Sequence, residues 1–279
     1  MPTYTVQCSP DADDLFMMRA LTSGAIDTGD RRYQVHTAPT DELNRIADAG
    51  EVDVCAISVA HYPRVAATYQ LLPHGGSMGE GYGPVLVTRE PRSLESLRGA
   101  KVAIPGLSTS AWATLQLILP VDPVVVPIAP YELTFEVLRS GEVEAALLIH
   151  EGRLTYEAEG FHSALDLGEW WAQASGDLPL PLGANAIKRS LGSEVIAAVS
   201  DDLRRSIVHA LEYREDSITW LLEHSPALKT RAEVSQYLDM YANGRTLDYG
   251  PAGRAGIERF LQLAHERGLV PAASVDYAP

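Results

Sequence analysis

A single imidazole stands where chemistry could begin. In Ala145-Ala146-Leu147-Leu148-Ile149-His150-Glu151-Gly152-Arg153-Leu154-Thr155-Tyr156, five apolar residues lead to a histidine, and glycine and polar residues follow at once. The run Ala145–Ile149 reads as a short buried strand. Ligands of open α/β sheets collect beyond the carboxyl ends of strands. An imidazole delivered there titrates near neutral pH, which suits a general base. The same pattern also fits a histidine satisfied inside a core, so what else arrives beside it matters.

Three other segments have the right chemistry. Ser9-Pro10-Asp11-Ala12-Asp13-Asp14 follows a first strand, with Ser9 and Asp14 facing a site. Ala56, Ile57 and Ser58 end a core strand, and Asn44 lies on the helix before it. Ser108, Thr109 and Ser110 open a helix. Serine and threonine at helix starts serve as caps, and the same amides and hydroxyls hold carboxylates; both readings stay open. The other motifs carry less. Gly75, Gly76, Gly79, Gly81 and Gly83 are not followed by a Lys-Ser pair or a helix, so a flexible loop is expected there, not a nucleotide site. His61, His74 and His162 lack metal-ligand spacing and read as surface or loop residues. Trp170 and Trp171 read as core packing. No Gly-x-Ser-x-Gly elbow occurs. No metal and no organic cofactor are expected.

The elements that would position these groups alternate. Strands are expected at Thr3–Cys8, Arg32–Ala38, Val52–Ser58 and Tyr69–Pro73, with helices at Leu15–Thr22 and at Thr40–Ala49, capped by Thr40. A second unit follows: strands at Lys101–Pro105, Val124–Ile128 and Ala145–Ile149, with helices from Ser110 to about Leu119 and at Tyr131–Ser140. Pro84–Thr88 and Ala184–Lys188 read as crossovers. Amphipathic helices close the chain at Ser193–Glu212, Arg214–His224, Arg231–Tyr241 and Gly253–Arg267. Alternating strands and helices predict parallel sheets. The inserted middle unit predicts an α/β, two-lobed, periplasmic-binding-protein-like (type II) clamshell with a ligand cleft between the lobes. Residues 1–88 plus 189–279 would form the larger lobe and 89–188 the smaller.

Bulk properties narrow the partners. The 279 residues can bury a sizeable core. A formal charge of −15 repels polyanions, so no nucleic-acid partner is expected. Cys8 and Cys55 make neither a disulfide framework nor a zinc site and read as buried thiols. No apolar run approaches the roughly 18 residues a span needs, so no membrane insertion is expected. Met1–Cys8 carries no signal-like stretch, so the chain reads as cytoplasmic. Nothing bears on its oligomeric state.

The chain resembles the 1,4-dihydroxy-6-naphthoate synthase family of menaquinone biosynthesis by the futalosine route. The residues that carry the likeness are Leu148–Tyr156, Asp166-Leu167-Gly168-Glu169-Trp170-Trp171 and Leu178-Pro179-Leu180-Pro181-Leu182-Gly183. Ser9-Pro10, Asp14, Phe16, Glu42-Leu43-Asn44, Gly81-Tyr82-Gly83-Pro84 and Val102-Ala103-Ile104-Pro105-Gly106 extend it. The resemblance implies a cofactor-free carbon–carbon lyase that takes a small carboxylate substrate, cyclic dehypoxanthinyl futalosine, to the dihydroxynaphthoate and dihydroxyacetone. It places His150 on the catalytic base and Asn44, Ala56, Ile57, Ser58, Thr109 and Ser110 on substrate-binding positions. The family's first loop usually reads Ser-Pro-Cys-Pro-Asn-Asp-Thr-Phe, whereas this chain has Ser9-Pro10-Asp11-Ala12-Asp13-Asp14-Leu15-Phe16. Adjacent acids there disfavour a nearby carboxylate. Two alternatives are a non-catalytic receptor for small anions, which would carry an export signal, and chorismate dehydratase on the same fold. The His-Glu-Gly-Arg-Leu-Thr-Tyr segment favours the synthase.

Overall fold

A computed structural model describes residues 1–127, 132–224 and 228–279. The chain opens with β1 (Thr3–Cys8), α1 (Ala12–Ser23), β2 (Arg32–Thr37), α2 (Thr40–Ala49), β3 (Val54–Ser58), a one-turn α3 (Tyr62–Val65), β4 (Tyr69–Leu71) and β5 (Ser77–Gly79). It continues through β6 (Val85–Thr88), β7 (Lys101–Ile104), α4 (Ser110–Ile118), β8 (Asp122–Val125), α5 (Glu132–Ser140), β9 (Ala145–Leu148), a one-turn α6 (Gly152–Thr155), β10 (His162–Asp166) and α7 (Leu167–Ser175). Then come β11 (Leu180–Lys188), α8 (Ser193–Glu212), α9 (Arg214–His224), α10 (Arg231–Tyr241), a short α11 (Gly244–Leu247) and α12 (Gly250–Glu266).

Two sheets form, one per lobe. The first has the order β2-β1-β3-β11-β4, with β5 also paired to β11; the second runs β10-β6-β9-β7-β8. β1, β2 and β3 are mutually parallel, as are β7, β8 and β9, while β11 and β6 return antiparallel beside them. β6 and β9 are buried at every residue, as strands covered on both faces must be. Leu86, Val102 and Leu147, at 2% exposure or less, each contribute roughly 1.5–3 kcal/mol by leaving water. The parallel strands of both lobes end at the cleft. Cys8, Ser58, Ile104 and Leu148 therefore release their following residues toward one space.

The sheet change differs from the expected boundaries at 88 and 188. β6 already belongs to the second sheet and β11 to the first, so each crossing comes about one strand earlier in the chain. Both strands are antiparallel to their neighbours, which lets a direct connection carry the chain between lobes. Smaller corrections have local causes. α1 begins at Ala12, not Leu15, because Asp13 and Asp14 form part of its first turn. Pro39, not Thr40, is the N-cap of α2. β8 covers Asp122–Val125 and admits Pro123 because it is an edge strand. Ile128 of the strand expected over Val124–Ile128 and Tyr131 of the helix expected over Tyr131–Ser140 lie outside the described residues.

The lobes touch across the cleft. Ser108 Oγ donates to Asp41 Oδ1 at 2.8 Å, and Asn44 Nδ2 donates to Ser108 Oγ at 2.8 Å. Gly106 (φ 155°) allows this approach: a Cβ there would sit 2.6 Å from Asp41 Oδ1. Behind the cleft, Trp171 of α7 packs edge-on against Phe260 of α12, ring centres 5.9 Å apart.

Candidate active site

His150 follows β9 in a left-handed backbone conformation, φ 49°. A non-glycine residue there costs about 1–3 kcal/mol and must be held by its surroundings. The hold comes from the other lobe. His150 Nδ1 lies 2.8 Å from Asp11 Oδ2, an ion-pair distance, though its approach is off the line of a straight hydrogen bond. Ser9 Oγ donates to that same carboxylate oxygen. The next residue, Glu151, is buried and accepts from Ala12 N at 3.2 Å, at the start of α1. Burial works against a charged ring, but the Asp11 carboxylate outweighs it, helped by Glu151 and Asp13, and lifts the His150 pKa to about 9. The donor atoms of Asp11, His150 and Glu151 lie within 4.8 Å of one another, a spacing that sequence intervals could not reveal. Below about pH 9 the positive charge among them is the imidazolium; above it the ring is neutral and its second nitrogen is free to take a proton.

Two more acids stand beside this pair. Asp13 is buried, lines the cavity and accepts from the Tyr237 hydroxyl at 3.1 Å. Burial, then the Asp11 charge, push its pKa up to about 6. Burial and the Asp13 charge likewise hold Asp14 well above the usual carboxylate range, although Ser9 N donates to its Oδ2 at 2.6 Å. A carboxyl raised in the folded state ionises at a cost to stability, incurred as pH rises from about 4 through about 6. Asp13→Asn is therefore expected to stabilise the protein at pH 8, on the order of 2 kcal/mol, since a tenfold change in proton affinity is about 1.4 kcal/mol. The gain should vanish near pH 4. Thermal melts of both proteins at the two pH values check this; a gain independent of pH would show that burial of the charge is not its cause.

An open cavity lies between the lobes beside His150. Ser9, Asp14, Ala56, Ile57, Ser58, Thr109 and Ser110 all line it. Several of their polar groups are already engaged. Thr109 Oγ1 caps α4, accepting from Trp112 N at 3.2 Å. Ser110 Oγ accepts from Ala60 N at 3.1 Å and donates to Leu182 O at 2.6 Å. What Thr109, Ser110 and Ala111 present to the cavity is the first turn of α4, whose leading amides have no partner within the helix. Asn44 sits differently. It is fully buried behind the wall, where its Oδ1 accepts from Ser58 N at 2.9 Å and its Nδ2 donates to Ser58 and Ser108. It shapes the wall and does not line the cavity.

A family model described as "Menaquinone biosynthesis" matches residues 4–266. A 1,4-dihydroxy-6-naphthoate synthase of Streptomyces coelicolor is 35% identical over 98% of this chain and 97% of its own length. This chain belongs to the menaquinone biosynthesis family. A synthase of the same name from Thermus thermophilus is also 35% identical, over 94% of this chain and 93% of its own. Among solved structures, a protein of Archaeoglobus fulgidus superposes with a TM-score of 0.90 at 35% identity, covering 96% of this chain and 98% of that one. The periplasmic aliphatic sulphonate binding protein of Escherichia coli gives 0.67 at 14% identity, over 98% and 94%. That match shows the two-lobed periplasmic-binding-protein fold alone.

For this family member, sequence reasoning missed the groups that arrive from afar. Tyr237 and Tyr241 reach the cavity from α10, and Leu182, Gly183 and Ala184 from β11. Asp11 was visible in the first loop, but nothing local paired it with His150. Two other histidines are corrections. His61 and His74 are buried, not on the surface; their Nε2 atoms lie 2.8 Å from Asp48 Oδ1 and 3.1 Å from Ser200 Oγ. Burial drives the His74 pKa down to about 4. His162 is exposed at the start of β10. Trp171 is wholly buried, and Cys8 and Cys55 are buried free thiols. Among the described residues no helix is long and apolar enough to cross a membrane.

Proposed function

We propose that this protein is a carbon–carbon lyase that converts cyclic dehypoxanthinyl futalosine into 1,4-dihydroxy-6-naphthoate and dihydroxyacetone. The observation that carries the reading is near-full-length kinship with two synthases of that name, joined to a cavity with His150 at its wall. Two helix N-termini face the cavity. The start of α1 already holds Asp11, Asp13, Asp14 and Glu151, so it repels an anion. The start of α4 holds Thr109, Ser110 and Ala111 and carries no acid in its first turn. The substrate carboxylate therefore lies at α4, where the amides and the helix dipole favour it. Ser58 and the chain around Ala56 and Ile57 form the facing wall. In its neutral form His150 takes the proton from the activated carbon, the carbon–carbon bond to the three-carbon fragment breaks, and aromatisation of the ring supplies driving force. Lobe closure orients the substrate and excludes water. The pairless thiols Cys8 and Cys55 suit a reducing cytoplasm.

The purified protein is expected to release the naphthoate from this substrate, followed by its absorbance, and to leave chorismate unchanged. Turnover of chorismate, or ligand binding with no product from either compound, would overturn the reading. Asp13→Asn should lower KM for the substrate with kcat nearly unchanged, since the repulsion it removes acts on bound substrate and transition state alike. The effect should be strongest above pH 6, where Asp13 is ionised. A raised KM would mean that the acid itself contacts the substrate.

A further inference from the structure

We infer that Asp11 is the positioning residue of His150: reaching across from the larger lobe and held by Ser9, its carboxylate fixes the ring with Nδ1 turned into the protein and Nε2 turned to the cavity. This rests on the reading of His150 as the base and adds the partner that makes it one. The geometry is direct. Nδ1 is shut away from solvent beside Asp11 Oδ2, yet the side chain keeps 23% exposure, which leaves the opposite edge of the ring as the part that meets the cavity. Asp11 is itself buried, so its charge acts through little water. The Ser9 hydroxyl on the same oxygen fixes where that carboxylate lies. His150 sits in a strained backbone conformation that its own strand does not require, and Glu151 ties the next residue to the start of α1.

The two partners come from different lobes, so the pair also ties the lobes together beside the cavity. In the reaction the proton leaves the substrate carbon for Nε2, the electron pair stays with the substrate as the carbon–carbon bond breaks, and Asp11 balances the imidazolium without changing its own protonation. Other charged groups act on the ring, Asp13 and Asp14 of α1 and Glu151 beside it, and Tyr237 and Tyr241 of α10 line the same cavity.

Ring titration by nuclear magnetic resonance tests this without substrate, with the His150 signal identified by its loss in His150→Asn. The wild-type ring should titrate near pH 9, and Asp11→Asn should move the inflection well down, because burial, which disfavours the charged ring, is then opposed only by Glu151 and Asp13. Asp13→Asn removes a charge from the same helix but not the contact, and should move it less. In parallel, kcat of Asp11→Asn on its high-pH plateau, where both rings are neutral, should fall about 10–100-fold, the cost of a misplaced base, with the acid limb of its pH profile shifted to lower pH. A wild-type inflection near 6.5, or equal shifts from Asp11→Asn and Asp13→Asn, would overturn the pairing. Absence of turnover with an intact titration would instead overturn the proposed reaction alone.

Discussion

His150→Asn should lower kcat by about 10²–10⁴-fold, the usual cost of removing a general base, while ligand affinity stays within a few-fold. Asparagine is the substitution of choice because position 150 has φ 49°, a conformation that asparagine adopts far more readily than most residues. The variant therefore tests the imidazole and not the backbone. It also takes the imidazolium away from Asp11, and a buried carboxylate that loses a counter-charge takes up a proton more readily. Folding should therefore survive with a modest loss of stability near neutral pH. Product absorbance under saturating substrate reads the first effect and calorimetric titration of product the second. Activity within a few-fold of wild type would remove His150 from the reaction, and with it the reason for Asp11 to face it.

Where the chain's local pattern decides structure, the sequence was informative. Ala145–Leu148 is buried on both faces and reads as an unbroken apolar run, so β9 and the residue after it were visible. α8, α9 and α10 have the expected bounds, and in α8 an amphipathic period sustained over 20 residues is the signal. β10 was not visible: His162–Asp166 is mostly exposed or half-buried, and it becomes a strand only because β6 offers an edge. β5 is three residues inside a glycine-rich stretch and exists through pairing with β11. The site divides the same way. Segments at strand ends and helix starts were legible as cavity walls. Whether a hydroxyl faces the ligand or its own lobe was not, as Thr109, Ser110 and Asn44 show. The pair Asp13–Tyr237 joins residues 224 positions apart, and no interval in the chain announces it.

Trp171→Ala is expected to lower the melting temperature by on the order of 10 °C, a loss of about 3–5 kcal/mol at roughly 2–4 °C per kcal/mol for a chain of this size. Trp171 is wholly buried in the core cluster that runs from the second sheet to α12. Alanine there leaves a void between Trp170, 6.5 Å away by ring centres, and Phe260. Trp171→Phe separates volume from polarity. It keeps a ring against Phe260 and removes an indole N–H that is buried with no hydrogen-bond partner among the described residues, so its loss should be less than half as large. The damage should also reach the site. α7 carries Trp171 and is capped by Asp166, which accepts from Gly168 N at 2.8 Å and pairs with Arg153 at 2.6 Å. Arg153 follows His150 by three residues and also donates to Gly83 O, at the passage between the lobes. A loosened α7 thus loosens the segment that holds the imidazole. Turnover of Trp171→Ala at 25 °C, well below its melting temperature, should fall several-fold through kcat. A lowered melting temperature with unchanged kcat would confine Trp171 to the core and cut that chain of contacts at Asp166.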